Sequence, residues 1–491
     1  MGRSHSSRAG VLLPRYPSHA TVRSTPERMG SLPRATLTVT MQPIYDWIDA
    51  HAEECVRDLQ HLVRQPSISA TGVGLRECAA LVRDMMHEDG LPADFHELEQ
   101  GPPVVFGHLE ARKPAKTMLC YSHYDVQPPE PLEEWSHGGP WSADIVDGVL
   151  YGRGSTDNKS GVLAFNKAAK AFLQVRGEVP VNLKFLIEGE EEIGSPNLAG
   201  WAARNKDLLA ADGMHCLDGP METGTAVPDV SLGLKSVLLV ELIARGAKTD
   251  VHSLNFPLVE SPVWELIWAL NTILGRDRRI LIEDWEEGLW QLGPDDETQL
   301  TDKADRVDLE ALKEEWGISE FALRRDGVDA IRARTYEPTA NIQGMIAGYT
   351  GPGSKTIIPN EARVRMDFRL IPNIQPADAI QKLKDHLEKH GFGHIEVKAF
   401  DGAEPPYKIS VKEDISQAII AAASEVYGDL PVVNGVSAEG AILRHVWIPC
   451  VLTGFANPGA NLHAPDENIH LDKYIQGIKY AAAIMEHFGR A

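Results

Sequence analysis

Three clusters of acidic residues and histidine each follow an apolar run of this sequence. They are Ser122-His123-Tyr124-Asp125, Ser155-Thr156-Asp157-Asn158 and Glu190-Glu191-Glu192. A buried strand that ends in uncompensated carboxylates is unfavourable unless positive charge lies beyond it, and a divalent metal ion is the simplest source of that charge. The sequence therefore predicts a metal-dependent hydrolase whose metal site lies where these apolar runs end.

The first half of the chain alternates strand-like and helical patterns. Helical spacing of apolar residues predicts helices at 44–63, 75–88 and 159–174, and apolar runs predict strands at 104–106, 118–121 and 181–187. The order strand, helix, strand from 118 to 187 is a βαβ unit, which implies an α/β fold with a parallel or mixed sheet and helices on both faces. Such sheets bind ligands outside the carboxyl ends of their strands, where the acidic clusters fall.

The pattern changes after Asp218. The sequence predicts strands at 236–245, 340–347, 362–370 and 395–400, helices at 262–274 and 376–389, and an irregular charged stretch at 284–335. We expect these elements to form an α+β domain with helices on one face of an antiparallel sheet. A helix at 410–427, a strand at 450–453 and a helix at 472–488 then restore the first pattern. The expected organisation is a leader (1–41), a catalytic domain in two parts (42–237 and 403–491) and an inserted domain (238–402).

Composition limits the partners. The net charge is −22, and no apolar run approaches the roughly 18 residues of a membrane span, so neither nucleic acid nor a membrane is expected as a partner.

Residues 1–40 differ in composition from the rest of the chain, because they hold six arginines and a single acid, Glu27. We expect this segment to be disordered or to precede the natural start at Met41, with a targeting peptide as the alternative. The five cysteines form no CxxC pair, which favours a reducing compartment, the cytoplasm.

Each candidate residue has a structural alternative. His123 and Asp125 are two apart and share a face of an extended chain, but a histidine at a strand end is more often a structural hydrogen-bonding group. Asp157 precedes a helix that it could cap. A phosphate-binding loop at 152–161 is disfavoured, since the spacing is not that of a P-loop and a carboxylate would repel phosphate.

The glutamates are harder to explain as structural residues. Adjacent carboxylates raise one another's pKa, and such a group can act as a general base. Strand-like alternation would turn one glutamate toward metal ions and its neighbour toward substrate. Asp218 and His463 also follow apolar stretches, and each is a weak signal alone. Together with His123 and Asp157, these oxygen and imidazole ligands suit two zinc, manganese or cobalt ions bridged by one carboxylate.

Eight features in this order resemble the M20 family of metallopeptidases, especially its dipeptidase branch. They are SHYDVQP, YGRGSTDNKSG, EGEEEIGS, the Asp of CLDGP, KTDVHS, SKTIIPN, DFRLIPN and the late His463. The similarity runs from about residue 42 to the C-terminus. It implies a phosphorylase/hydrolase-like zinc-peptidase catalytic domain with an inserted ferredoxin-like lid and dimerisation domain.

The resemblance also implies a ligand set with two divalent metal ions per subunit. His123 and Asp218 bind one ion. Glu192 and His463 bind the other, and Asp157 bridges both. Zinc is the expected metal, with manganese and cobalt as alternatives.

Two acidic residues beside these ligands receive other roles by resemblance. Asp125 orients the metal site. Glu191 is the general base and acid that activates a metal-bridging water. Glu190 then lies outside the catalytic pair.

The inserted domain supplies further residues by resemblance. His252 matches a histidine that reaches the partner subunit's site in relatives and stabilises the oxyanion, which implies a homodimer. Arg369 matches the arginine that holds the substrate's terminal carboxylate, and Thr356 matches a further substrate contact. Glu439 and Ala441 occupy a substrate loop that reads Gly-Gly-Ser-Ile in dipeptidase relatives, and His252-Ser253-Leu254 replaces their HSG.

The expected activity is cleavage of the amide bond of dipeptides or short peptides that carry a free C-terminal carboxylate. The alternative within enzymes is an N-acyl- or N-carbamoyl-amino acid amidohydrolase on the same scaffold. A catalytically silent binding protein is disfavoured, because no metal ligand and no catalytic glutamate is missing.

Overall fold

The structure is a computed structural model that describes residues 40–113, 115–221, 226–400, 403, 405–437 and 448–491. The α-helices of the described residues are α1 (Gln42–Ala50), α2 (Ala52–Arg64), α3 (Leu75–Glu88), α4 (Lys159–Arg176), α5 (Leu198–Arg204), α6 (Lys206–Leu209), α7 (Pro262–Ile273), α8 (Pro294–Arg306), α9 (Leu309–Trp316), α10 (Gly327–Tyr336), α11 (Pro376–Lys389), α12 (Asp414–Tyr427) and α13 (Leu471–Arg490).

The strands run from a first edge hairpin to a short strand before the last helix. They are β1 (Ala93–His96), β2 (Val104–Leu109), β3 (Thr117–His123), β4 (Asp144–Val146), β5 (Val149–Tyr151), β6 (Asn182–Glu188), β7 (Gly213–Leu217), β8 (Val230–Ser231), β9 (Gly233–Leu234), β10 (Ser236–Arg245), β11 (Val251–His252), β12 (Thr339–Ala347), β13 (Ile357–Ile358), β14 (Glu361–Leu370), β15 (Glu396–Ala399), β16 (Tyr407–Lys408), β17 (Val433–Asn434), β18 (Cys450–Thr453) and β19 (Asn468–His470).

The main sheet is mixed and has eight strands in the order β1-β2-β6-β3-β7-β18-β8-β17. Strand β3 lies parallel to both β6 and β7, and β18 lies parallel to β7. Four successive strands of the sheet therefore end at the same edge. The mixed sheet predicted from the sequence is confirmed.

Side-chain alternation in the main sheet explains its two hydrophobic layers. In β6, Leu183, Phe185 and Ile187 face the larger core, which also contains residues of α4, α12 and α13. Leu186 of the same strand points the other way, into a smaller core that includes Trp201 of α5. Since both faces are covered by helices, the central strands read as nearly continuous apolar runs.

A second, antiparallel sheet has four strands in the order β12-β14-β10-β15. In β14, Val364, Met366 and Phe368 belong to a separate core that also contains residues of α7 and α11. Arg363 and Arg365 alternate with them and pair with Glu241 on the opposite face. The strands and helices expected between 236 and 400 are therefore present close to their expected bounds.

The expectation of irregular structure at 284–335 is wrong, because α8, α9 and α10 lie there. Their shared core is small and includes Leu300, Ile331 and Tyr336. Polar contacts also stabilise these helices: the Asp308 side chain caps α9 by accepting the N–H groups of Glu310 and Ala311. With so few apolar anchors, these helices leave a weak hydrophobic periodicity.

None of the described helices is long and apolar enough to cross a lipid bilayer. All five cysteines are buried and unpaired.

Candidate metal centre

The candidate site lies at the carboxyl edge of the main sheet. His123 is the last residue of β3 and pairs with Glu188, the last residue of the parallel strand β6. Asp218 follows the last residue of β7, and its N–H donates to the carbonyl oxygen of Thr453 in β18. Parallel strands deliver these groups to one place, as the sequence pattern predicted.

Asp157 lies between two histidines. It belongs to the turn between β5 and α4, and its Oδ1 is 3.2 Å from Nε2 of His123. Its other oxygen, Oδ2, is 3.1 Å from Nε2 of His463. One carboxylate thus turns an oxygen toward each of two imidazoles that come from distant parts of the chain.

The five predicted ligands form two triads that share Asp157. The first triad is His123, Asp157 and Asp218, and the second is Asp157, Glu192 and His463; within each, one potential ligand atom per residue lies within 4.8 Å of the others. In the first, Nε2 of His123 is 3.4 Å from Oδ2 of Asp218. In the second, Nε2 of His463 is 3.2 Å from Oε2 of Glu192.

The donor set of the triads suits divalent metal ions. Nε2 of His123 is fully buried and makes no hydrogen bond, although carboxylate oxygens surround it. A buried imidazole nitrogen without a hydrogen bond is unfavourable, and a cation between it and the carboxylates would satisfy it. Imidazole and carboxylate ligands match the preferences of zinc, manganese and cobalt.

Three residues of the triads have raised pKa values. Hydrogen bonds to Asp157 and Glu192 raise the pKa of His463 to about 10. Burial, together with the charge of Asp157, raises the pKa of Glu192. Burial, together with the charge of Asp157, also raises the pKa of Asp218. Each of these shifts favours the protonated form of its group, and a bound cation would replace those protons.

Glu191 belongs to neither triad but lies beside them. Its Oε2 is 3.9 Å from Nε2 of His123. Burial and the charge of Asp218 raise the pKa of Glu191, while His123 acts in the opposite direction. A carboxyl group that faces the ligands without joining them is available to accept a proton.

The glutamate run does not follow the strand alternation expected for it. The chain leaves β6 at Glu188, and Glu191–Ile193 form a short 3-10 helix instead of extended backbone. The helical turn points Glu191 and Glu192 toward the triads together. Glu190 turns away and accepts two hydrogen bonds from Nδ2 of Asn197, at 2.9 and 3.0 Å.

Asp125 holds this turn in place. Its two carboxylate oxygens accept the backbone N–H groups of Glu191 at 3.2 Å and Glu192 at 3.0 Å. Its Oδ1 is also 3.4 Å from Nδ1 of His123, and its backbone carbonyl is 3.1 Å from that nitrogen. A ligand histidine commonly donates its second N–H in this way, which fixes the ring and the tautomer.

Two amide side chains that donate hydrogen bonds to the predicted metal ligands were not predicted from the sequence. Nε2 of Gln127 donates to Oε2 of Glu192 at 3.0 Å, and Nδ2 of Asn158 donates to Oδ1 of Asp218 at 2.7 Å. The N-cap position of α4 belongs to Asn158 and not to Asp157, and Asn158 makes no capping hydrogen bond. The signal in the sequence was proximity: each amide is within four residues of a predicted ligand.

The predicted substrate residues lie on other elements. Strands β11 and β13 pair His252 with Ile357, and the N–H of Ser253 donates to the carbonyl of Thr356, so His252 and Thr356 are neighbours. Nδ1 of His252 accepts the N–H of Leu254. Among the residues that the structure describes, no hydrogen bond or ion pair joins His252 to either triad. Glu439 and Ala441 lie outside the described residues.

Arg369 lies near the end of β14, opposite Val237 and Thr339 of the neighbouring strands. A second cation is close by, because burial and the charge of Arg369 together lower the pKa of Lys235 to about 8. Nζ of Lys235 donates to the carbonyls of Arg334 and Glu337 at 2.7 and 3.0 Å. This part of the second sheet therefore concentrates positive charge.

The chain is similar in sequence and in structure to several known proteins. The Cys-Gly metallodipeptidase dug1 of Schizosaccharomyces pombe is 28% identical over 90% of this chain and 97% of its own length. The Beta-Ala-His dipeptidase of Rattus norvegicus is 26% identical over 90% of this chain and 94% of its own length. Among solved structures, the M20 family metallo-carboxypeptidase Sso-CP2 from Sulfolobus solfataricus superposes with a TM-score of 0.80 at 35% identity, covering 89% of this chain and 100% of that one.

Human carnosine dipeptidase 1 shares the fold, with a TM-score of 0.71 at 24% identity over 92% of this chain and 99% of that one. The model of peptidase family M20/M25/M40 matches residues 119–487, which include both triads and Glu191. The chain belongs to peptidase family M20/M25/M40.

Proposed function

We propose that this protein is a binuclear metal-dependent hydrolase that cleaves the amide bond of dipeptides or short peptides with a free C-terminal carboxylate. The observation that carries the proposal is the position of Asp157, whose two oxygens lie 3.2 and 3.1 Å from the histidines of two separate triads. A bridging carboxylate between two three-residue ligand sets is the arrangement that a pair of divalent ions needs.

The named relatives support this class of substrate. Cys-Gly and Beta-Ala-His are dipeptides, and a carboxypeptidase acts next to a free carboxylate. These substrates share an amide bond one residue away from a terminal carboxylate. We infer the same chemistry here.

We propose two divalent ions per subunit, with zinc the expected metal and manganese or cobalt as alternatives. His123 and Asp218 would hold one ion, Glu192 and His463 would hold the other, and Asp157 would bridge them. When bound, the two cations supply Lewis acidity toward the scissile carbonyl and make a nearby water easier to deprotonate.

The remaining steps belong to side chains. Glu191 takes the proton of the attacking water and later gives it to the departing amine. Asp125 positions Glu191 by accepting its backbone N–H. His252 would stabilise the oxyanion of the tetrahedral intermediate by donating a hydrogen bond. Arg369 would bind the substrate carboxylate, assisted by the charge of Lys235, and Thr356 would make a further substrate contact.

We further propose that residues 238–402 form a ferredoxin-like lid and dimerisation domain inserted between two parts of a catalytic domain, 42–237 and 403–491. The outer side of β12 has no strand partner among the described residues. Ile342, Met345 and Ile346 of this strand are exposed, Ile346 to 74%. Exposed apolar side chains on a sheet edge favour pairing with a second copy.

The five cysteines bear on the compartment of the protein. All five are buried thiols, as expected for a protein of the cytoplasm, which is the compartment that we propose.

Mixing of two inactive variants tests the dimer and the role of His252 together. If His252 completes the partner's site, E191Q and H252A subunits should complement, because a mixed dimer contains one site with both groups. Half of the dimers would be mixed, so activity should recover to about a quarter of the wild-type value. A mixture of E191Q with D157A is the matched control, since both changes disable the subunit's own site. Recovery in the control, or none with H252A, would contradict an action of His252 across the interface.

A substrate panel tests the proposed activity. Metal-reconstituted protein should hydrolyse dipeptides faster than N-acetyl or N-carbamoyl amino acids, and C-terminally amidated dipeptides should be poor substrates. Preferential turnover of the N-acyl compounds would favour the alternative amidohydrolase.

Replacement of Arg369 separates carboxylate recognition from catalysis. R369M should lower kcat/KM for dipeptides about 10–100-fold, because a charge-assisted contact is lost. The same variant should treat amidated dipeptides much as the wild type does, since these substrates lack the carboxylate. Equal losses on both substrates would show that Arg369 does not bind the carboxylate.

A further inference from the structure

One buried carboxylate near the metal centre has no assigned role. Glu467 follows His463 by four residues and is fully buried. Its Oε1 accepts the backbone N–H groups of Thr156 at 3.0 Å and Asp157 at 3.1 Å. Its Oε2 accepts the N–H of Gly154 at 3.0 Å. A single side chain therefore binds three N–H groups of the turn that carries Asp157.

A buried arginine balances the charge of Glu467. Nη1 of Arg153 donates to Oε2 of Glu467 at 2.7 Å, and both side chains are 1% exposed. The guanidinium also donates to the carbonyl of Pro128 and lies over the ring of Trp135. Burying such a pair contributes little net stability, because the desolvation of both charges offsets their attraction. Its presence beside the site therefore calls for a reason other than stability.

The backbone around Glu467 extends the same connection. The carbonyl of Glu467 accepts the N–H of Gly152 at 2.8 Å, and Oγ1 of Thr156 donates to the carbonyl of Asn468 at 2.8 Å. The segment from His463 to Asn468 is thus fastened to the segment from Gly152 to Asp157. His463 itself adopts a positive φ of 59°, a conformation that a non-glycine residue rarely holds without support.

We infer that Glu467 is a positioning residue that sets the distance between Asp157 and His463. Asp157 is shared by the two triads, and His463 belongs to the second. The second triad therefore depends more directly than the first on the hydrogen bonds between Glu467 and the turn that carries Asp157. The inference rests on the proposed function, because it assigns Glu467 a role in metal binding.

Metal affinity is the readout that tests this role without relying on turnover. Chelator competition on the full chain with Zn²⁺ should show about 10–100-fold weaker binding in E467Q than in the wild type. The loss should be larger for the ion held by His463. With Co²⁺ in place of zinc, the visible absorption spectrum of E467Q should differ from that of the wild type.

Two further proteins exclude a merely structural effect. E486Q removes a buried carboxylate of the last helix from its ion pair with the partly buried Arg176, and should lower stability while leaving both metal affinities unchanged. R153M/E467Q removes both charges at once, so no arginine is left buried without a partner, and it should fold and still bind metal weakly.

The results distinguish a failure of the role of Glu467 from a failure of the proposed metal centre. Wild-type affinities and spectra in E467Q, or in R153M/E467Q where the single variant does not fold, would overturn the role of Glu467 and leave the metal centre intact. A wild-type protein that binds no divalent ion would overturn both.

Discussion

Replacing Glu191 by glutamine is expected to lower kcat about 10⁴-fold, since this carboxyl group moves the proton in both halves of the proposed reaction. Glutamine has nearly the same shape but cannot accept the proton. Metal binding should persist, because Glu191 belongs to neither triad. The measurement is kcat on a dipeptide together with the number of ions bound per chain.

Glu190 offers a matched control for this change. It is the adjacent glutamate, and its carboxylate is engaged by Asn197 instead of facing the ligands. E190Q retains an oxygen that can accept a hydrogen bond, and we expect kcat to stay close to the wild-type value. A large loss in E190Q with normal turnover in E191Q would reverse the assignment.

Replacing Asp157 by alanine is expected to weaken the binding of both ions and to abolish turnover. Every other predicted ligand serves one triad, whereas Asp157 serves both. The expected loss of affinity is at least about 100-fold, because removal of a ligand should exceed the effect of removing an orienting group. Metal titration of the chelator-treated protein measures both affinities.

An exposed aspartate on β1 provides the comparison. D94A changes the same residue type on the edge strand of the main sheet, outside both triads, and should bind both ions normally. Loss of only one ion in D157A would show that Asp157 is a ligand of one triad and not a bridge.

Much of the fold could be predicted because burial leaves a period in the sequence. Helix α11 was expected at 376–389 and lies at Pro376–Lys389, since Ala379, Leu383 and Leu387 recur at helical spacing on its buried face. Helices α8 to α10 were missed because their shared core is small and capping and ion pairs support them. Such contacts have no fixed period along the chain.

Part of the candidate site could also be predicted from the sequence. His123 and Asp218 follow from strand ends in a parallel arrangement, a rule that applies before any coordinates are known. The different roles of the three consecutive glutamates follow from the family resemblance and not from strand ends, because they depend on a 3-10 turn that Asp125 holds by hydrogen bonds. The role of Glu467 could not be predicted from the sequence, because its partners are backbone N–H groups some 310 residues away along the chain.

The dependence of dipeptide hydrolysis on bound metal tests the binuclear site most directly. Chelator-treated protein should be inactive, and stepwise addition of Zn²⁺ should restore hydrolysis as two ions bind per chain. Full hydrolysis by the metal-free protein, or full activity with only one ion bound per chain, would contradict a site built from two triads that share Asp157.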